Sequence, residues 1–328
     1  MTTVGFVRIE GKSIVVTGGA GFIGSNMVAA LVGNASSVVA FDNLSSGRYK
    51  LIKEFVGRKG FRFIKGDLLR PRLFDSVLRS AKPDLVIHFA ANPDIRLGTL
   101  DTGLDIRQGE IATHNVLEAC RHNDVESVMF SSSSAVYGEA TVKPTPESYG
   151  PLKPISLYGA SKLACEGLIT AYQSLYDLDY LIYRFANVVG RNQTHGVMVD
   201  FIKKLSRNRR SLKVLGNGRQ RKAYIDVADC CGAMLQAYEL GAKNTVLNLA
   251  TEGQTSVDWI ARTVIARLAP GARISHTGTP RGWPGDIADT YISNANMKKL
   301  GVKLRLIDSD AAAANAIDTL CARGGLIV

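Results

Sequence analysis

Cysteine is scarce in this sequence and follows no pairing pattern. The five residues Cys120, Cys165, Cys230, Cys231 and Cys321 are odd in number and form no C-x-x-C pair. That excludes a disulfide framework and the usual zinc spacings, and it points to reduced thiols in a cytoplasm. No His/Cys/Asp/Glu spacing suggests a metal site. Long apolar runs are missing too: none approaches the ~18 residues a membrane span requires. The N-terminus lacks a charged stretch followed by an apolar one, so no secretory signal is expected. Internal repeats are absent, and the only biased stretch is the alanine run Ala311–Ala314. Negative charge is the scarcer sign, with 29 Asp and Glu against 40 Lys and Arg, a formal balance of +11. The densest basic stretch, Lys203 to Lys213, has no interleaved aromatics and follows apolar residues at helical spacing (Val197, Val199, Phe201, Ile202, Leu205). A solvated helix face explains it better than a nucleic-acid surface, so no nucleic-acid partner is expected. A modest positive field also attracts anionic diphosphates.

What is present is a regular alternation. At 328 residues the chain is long enough to bury a full-sized core, and its composition, 46% hydrophobic and 21% charged, is that of a globular protein. Short apolar runs at Ser13–Thr17, Ser37–Phe41, Phe61–Lys65, Leu85–Phe89 and Ser127–Ser131 read as strands. Between them lie helical patterns at Phe22–Val32, Tyr49–Val56, Arg72–Ser80 and Leu104–Arg121, and a further helix, Tyr158 to Tyr176, precedes a strand at Tyr180–Arg184. Strands buried on both faces read as continuous apolar runs, and helical crossovers force parallel pairing. The expected fold is therefore α/β: a doubly wound parallel sheet over residues 1–186. After Asn187 Gly-, Asn- and Pro-rich loops separate shorter elements. This predicts a smaller C-terminal α/β substrate domain over residues 187–328, with Tyr224–Val227 and Thr245–Leu249 as segments able to return to the main sheet.

Directly after the first strand stands Thr17-Gly18-Gly19-Ala20-Gly21-Phe22-Ile23-Gly24. In this G-x-x-G-x-x-G turn, Gly18, Gly21 and Gly24 permit positive φ angles and let backbone N–H groups approach a pyrophosphate. The helix that begins near Gly21 points its partly positive end at the same phosphates. The strand before the turn and the helix after it supply the context that gives the motif its meaning. Asp42 closes the second strand about 20 residues on, where a carboxylate accepts hydrogen bonds from the adenosine ribose hydroxyls. It would repel the extra phosphate of NADP, so the expected cofactor is NAD. Asp67, after the third strand, is placed to touch the adenine edge.

Tyr158 and Lys162 form a Y-x-x-x-K pair, and residues four apart share a helix face. Oxidising a carbinol requires removal of its hydroxyl proton, for which a free phenol with a pKa of about 10 is a poor base at neutrality. A neighbouring ammonium favours the phenolate and is expected to lower the Tyr158 pKa. The run Ser131-Ser132-Ser133-Ser134 places hydroxyls at the C-terminal end of the fifth strand, where open α/β sheets bind ligands. One of them is expected to hold the substrate oxygen for Tyr158. His88 reads as a packed, hydrogen-bonded histidine, and His195 lies in a loop near the expected substrate site.

Seven segments now stand in order: TGGAGFIGS (17–25), DNLSSG (42–47), GDL (66–68), HFAA (88–91), SSSSAVYG (131–138), YGASK (158–162) and RFANVVG (184–190). On these the chain resembles the extended short-chain dehydrogenase/reductase family, within it the nucleotide-sugar epimerases and most of all the UDP-glucose 4-epimerases. The resemblance implies Tyr158 as acid/base, Lys162 as its partner and Ser133 as the donor to the substrate oxygen, with Ser132 and Ser134 as alternatives one register away. It maps cofactor contacts onto Gly18, Gly21, Phe22, Ile23, Gly24, Asp42, Asn43, Ser45, Ser46, Gly47, Asp67, Leu68, Phe89, Ala90 and Ala91, besides Tyr158 and Lys162. Substrate contacts fall on Ser133, Tyr158, Asn187, Lys222 and Arg281.

Dehydratases and decarboxylases of this family carry an acid in the segment that here reads Ser133-Ser134-Ala135-Val136. Without one, reversible oxidation at sugar C4 is the simplest chemistry, and it implies epimerisation of a UDP-hexose (UDP-glucose/UDP-galactose) through a 4-keto sugar with NAD regenerated each turnover. The alternatives are another nucleotide-sugar oxidoreductase, decarboxylase or dehydratase, and a non-catalytic dinucleotide-binding regulator. The sequence departs from the family at Gly109–Thr113, where N-V-x-G-T is usual. It departs again at Lys222, where the diphosphate-binding arginine is usual and where Arg219 and Arg221 stand close by. A third departure is Trp283-Pro284-Gly285-Asp286, with Arg281 two places early for R-x-G-D. Family likeness further implies a homodimer built on the helices near Leu104–Arg121 and Tyr158–Tyr176.

Overall fold

The alternation of apolar runs and amphipathic segments resolves, in a computed structural model describing residues 8–279, 282 and 285–322, into a parallel sheet covered on both faces. In chain order the first elements are β1 (Ser13–Thr17), α1 (Phe22–Leu31), β2 (Ser37–Asp42), β3 (Phe61–Lys65), α2 (Pro71–Ala81), β4 (Leu85–His88), α3 (Leu97–Leu100), α4 (Ala112–His122), β5 (Ser127–Ser133), α5 (Leu157–Tyr176) and β6 (Asp179–Phe185). Then follow β7 (Asn187–Val189), α6 (Val197–Arg207), β8 (Ser211–Val214), β9 (Arg221–Lys222), β10 (Tyr224–Asp226), α7 (Val227–Glu239) and β11 (Thr245–Leu249). The last are β12 (Thr255–Ser256), α8 (Val257–Leu268), β13 (Arg273–His276), β14 (Asp289–Thr290), α9 (Ala295–Leu300) and α10 (Ser309–Ala322).

The main sheet has seven strands in the order β11-β6-β5-β4-β1-β2-β3, every neighbouring pair parallel. The order reverses between β1 and β4, which opens a crevice at the carboxyl ends of the strands where such sheets bind ligands. Successive residues of β1 face opposite sides. Ile14 and Val16 enter a core shared with α1, α7 and β11, while Val15 enters one shared with α2, α4 and α5. A third core joins α6, α8 and α10.

Three expectations need correction. Tyr49–Val56 is not an α-helix but two single 3₁₀ turns, Tyr49–Leu51 and Lys53–Phe55, closed by Ile52 N–H to the Tyr49 carbonyl and Val56 N–H to the Lys53 carbonyl. The nine residues between Gly47 and Gly57 bury Ile52 and Phe55 without regular α pairing. Tyr224–Val227 does not rejoin the main sheet: β10 pairs with β7 in a separate two-stranded ribbon, and only Thr245–Leu249 returns, as the edge strand β11. The helix over Leu104–Arg121 carries a π turn at Ile106–Ile111 before α4. There the Ser161 hydroxyl donates to the Asp105 carbonyl (2.9 Å), and a Cβ on Gly109 would lie 2.1 Å from that hydroxyl oxygen. The departure from N-V-x-G-T thus marks a place where α5 presses into the helix backbone. Among the described residues no helix is long and apolar enough to cross a membrane, and no cluster of His, Cys, Asp and Glu is arranged to hold a metal.

Candidate active site

The crevice is a cavity of about 690 Å³, within the range of small-molecule sites. Its floor at the switch point is the glycine turn. Gly18 has φ +66, and a Cβ there would meet the Ala90 backbone nitrogen at 2.8 Å, so both its conformation and its contact demand glycine. Gly24 serves packing alone: a Cβ would lie 2.0 Å from the Gly18 carbonyl oxygen. Gly21 is extended at φ −78 and forms the start of α1, whose first turn has no side-chain cap. The free N–H groups of that turn are therefore open to an anion. Gly18, Gly21, Phe22, Ile23 and Gly24 all line the cavity.

Asp42, buried at the end of β2, lines the same cavity. Its carboxylate accepts from Ala20 N–H (3.0 Å) and Leu44 N–H (2.7 Å), while burial raises its pKa against those bonds. Each carboxylate oxygen has further lone pairs for ribose hydroxyls. Asn43 donates to Asp67 (3.2 Å), and Asn43, Ser45, Ser46, Asp67, Leu68 and Phe89 to Ala91 are all cavity wall. Gly47 is not: it packs on Asp42, where a Cβ would fall 2.6 Å from a carboxylate oxygen. The uncapped helix end, the close-approach glycines and the acid at the second strand together fit a dinucleotide.

Across the cavity stand Tyr158, Lys162 and Ser133. Ser156 caps α5 by accepting from Gly159 N–H (3.1 Å), which sets Tyr158 in the first turn and Lys162 one turn on. Ser133 ends β5, its hydroxyl accepting from Ala135 N–H (3.2 Å) and standing close enough to the Tyr158 phenol to favour its phenolate. Lys162, 4% exposed, donates to the Ser131 carbonyl (2.7 Å), with its ammonium 4.6 Å from the Phe130 ring centre and 5.7 Å from that of Tyr158. Ser132, one register away, points instead at Glu166 (2.5 Å) in a buried pair with Arg184 (2.7 Å). Ser133 therefore stands beside the phenol, while the Ser132 hydroxyl is engaged by Glu166.

The charge states differ from expectation. Burial pushes Tyr158 up to about 12, against the neighbouring Ser133 hydroxyl, with Asp105 and Cys165 adding to the rise. Burial likewise lowers Lys162 to about 8, opposed by Cys165, Asp105 and Glu166. The Lys162 ammonium is directed at the Ser131 carbonyl, and burial is the largest influence on the phenol. His88 is the packed histidine expected: it bridges Thr17 (2.6 Å) and Thr113 (3.1 Å), and burial, then the Lys162 charge, lower its pKa to about 3.

The far wall comes from the second half of the chain. Asn187, in β7, donates to the Ala223 carbonyl (3.3 Å) and lines the cavity, as does Lys222. Lys222 is held by buried Asp286 at 2.6 Å. Arg281 lies outside the described residues. Sequence reasoning missed Asp94 and Arg96, a bidentate pair (2.8 and 3.0 Å) in the loop after β4, along with Gln193, Asp200 and Lys203. The position of Asp94 and Arg96 just beyond HFAA, at a strand's carboxyl end, was the available signal for the first two.

A doubly wound sheet with a close-approach glycine turn at its switch point, facing a Tyr-Lys pair on one helix, defines the extended short-chain dehydrogenase/reductase class. The chain belongs to the NAD dependent epimerase/dehydratase family, whose signature matches residues 14–250. It is 36% identical over 250 residues to a putative UDP-glucose 4-epimerase of Methanocaldococcus jannaschii, covering 75% of this chain and 79% of that one. A crystal structure of a UDP-galactose 4-epimerase superposes with TM-score 0.83 at 38% identity, covering 94% and 99% of the two chains. The Thermus thermophilus UDP-glucose 4-epimerase in complex with NAD superposes with TM-score 0.84 at 26% identity, covering 95% and 99%.

Proposed function

We propose that this chain is an NAD-dependent 4-epimerase of a UDP-hexose, with UDP-glucose and UDP-galactose as its pair of substrates. The observation that carries the reading is the Tyr158–Ser133 hydroxyl couple beside Lys162, in a segment where Ser134, Ala135 and Val136 offer no acid for elimination. NAD, when bound, supplies a two-electron acceptor and donor whose oxidised ring is positively charged. A positive charge beside Tyr158 favours the phenolate and offsets the burial that holds the phenol near 12. Tyr158 then takes the C4 hydroxyl proton and returns it after the sugar has turned over. Ser133 hydrogen-bonds the same oxygen and keeps it in reach, while Lys162 holds the cofactor-side ribose from a fixed anchor on the Ser131 carbonyl. The reaction begins and ends with the same oxidation state, so no second proton-transfer group is needed.

The wall formed by residues 187–222 and Asp286 serves the nucleotide-sugar in this reading. A homodimer is part of it as well: Leu100 (84% exposed), Ile106, Ile111, Leu157, Leu175 and Tyr176 leave apolar side chains exposed along and beside the π turn, α4 and α5. The five free cysteines suit a reducing cytoplasm. The test is incubation of the purified protein with UDP-glucose or UDP-galactose and separation of the products. Interconversion of the C4 epimers without net accumulation of reduced cofactor is the expected result. Release of water or CO2 from the nucleotide-sugar, detected by mass, would replace this reading with a dehydratase or decarboxylase.

A further inference from the structure

A nucleotide-sugar carries two phosphate charges between its sugar and its nucleoside. In the reading above, the sugar carbinol meets Tyr158 and Ser133 and the diphosphate meets the wall that begins at Asn187, where a cation is needed to face its charge. Arg219 and Arg221 do not line the cavity and are exposed. Lys222 does line it, but its ammonium sits 2.6 Å from the Asp286 carboxylate, so the pair brings no net charge. Arg96 is clasped by Asp94 in a bidentate pair through Nε and Nη2 of its guanidinium. Lys162 is buried at the catalytic centre. Of the Lys and Arg side chains lining the cavity outside that centre, Lys203 has no acid within ion-pair distance among the described residues.

Its placement on α6 gives the free charge a direction. Gly196, the residue that starts this helix, is seven positions before Lys203, two turns away on the same face. Gly196, Val197 and Val199 line the cavity, and no side chain caps the helix start, so its first N–H groups open on the same space. The first-turn acid Asp200 also reaches the cavity wall, but its carboxylate is paired with Lys204 at 2.6 Å. The field of Lys203 is felt inside: burial first, then Arg96 and Lys203 opposed by Asp94, hold His195 below its ordinary pKa. We propose that Lys203 supplies a cation that grips the substrate diphosphate, a role for which the sequence also offers Lys222, with Arg219 and Arg221 close by. The inference rests on the nucleotide-sugar reading above and names the residue that reading leaves open. A lysine on a flexible stem acts here as a mobile point charge, in place of the planar fork an arginine would present.

Calorimetric titration of the full chain with UDP tests it. Lys203→Met is expected to weaken UDP binding by roughly tenfold, the effect of losing one hydrogen bond to a charged group. Lys203→Arg should retain most of the affinity, and UMP, with a single phosphate, should lose less than UDP on Lys203→Met. NAD affinity and thermal midpoint should stay at wild-type values, since the side chain is exposed and lies away from the glycine turn. Equal UDP affinity of wild type and Lys203→Met would overturn the assignment while leaving the epimerase reading intact. Failure of the wild type to bind UDP at all would overturn the UDP-sugar reading itself, and this inference with it.

Discussion

His88 offers a measurable coupling between pH and the stability of the cofactor crevice. It ends β4, wholly buried, with both ring nitrogens committed to threonines on β1 and α4. Burial and the nearby Lys162 charge hold its pKa at about 3, against 6.5 in an unfolded chain. The unfolded state therefore takes up a proton as pH falls below 6.5, while the folded state stays neutral until pH approaches 3. Stability from this residue is fully present above 6.5 and is lost steadily as pH falls from there toward 3. At 1.36 kcal/mol per unit the loss is about 2 kcal/mol on going from neutrality to about pH 5, and about 5 kcal/mol at about pH 3. Urea unfolding of the wild type and of His88→Gln, at about pH 7 and about pH 5, isolates the effect. Glutamine keeps an amide for the two threonines but does not titrate in this range. The variant should be weaker at neutrality and should lose about 2 kcal/mol less than the wild type on acidification. His195, also held low, contributes to both proteins and cancels. Glu118, held down to about 2 chiefly by Arg121, loses its share only below its ordinary range of 4.5. Equal losses for the two proteins would refute the reasoning.

Other outcomes follow from the same geometry. Tyr158→Phe should lower epimerase turnover by roughly 10²- to 10⁴-fold while NAD binding and thermal midpoint are retained, and unchanged turnover would remove Tyr158 as the base. Glu166→Gln strips the buried Arg184 of its carboxylate and should cost about 3–5 kcal/mol in urea unfolding, so a cost below about 1 kcal/mol would show the pair to be dispensable. Gly24→Ala drives a methyl to within 2.0 Å of the Gly18 carbonyl and should abolish NAD binding by calorimetry. Wild-type NAD affinity in that variant would mean the turn is not the cofactor floor.

Local chemistry made the first half of the chain readable. The apolar runs of β1, β2, β4, β5 and β6 are buried on both faces and so need no partner information to be recognised. Gly18 and Asp42 are tied to strand ends by spacing alone, as are Tyr158 and Lys162 to one helix face. What escaped depends on distant partners. Lys222 reads as a free cation, and its ion pair with Asp286, 64 positions away, is visible only in the fold. The π turn at Ile106–Ile111 lies where Ser161 of another helix packs closely on Gly109, and no pattern within the segment encodes that contact. Tyr224–Val227 has the composition of a sheet strand, yet its partner is β7 rather than the main sheet. Lys203 was visible only as the first member of a basic run, since its neighbours Phe201, Ile202 and Leu205 face the α6 core and gave the segment an ordinary amphipathic look.

The place of β11 at the edge of the main sheet has a bearing on how the chain acquires its shape. A ribosome that has released residues 1–186 has delivered six of the seven strands and every residue of the glycine turn and the Tyr-Lys pair. The growing polypeptide nevertheless carries an open rim on β6 and a bare flank on α1 until α7 and β11 emerge. Nascent fragments ending before residue 249 should accordingly be sticky and protease-sensitive, and an expression vector cut at the apparent boundary should yield aggregate rather than a free-standing cofactor module.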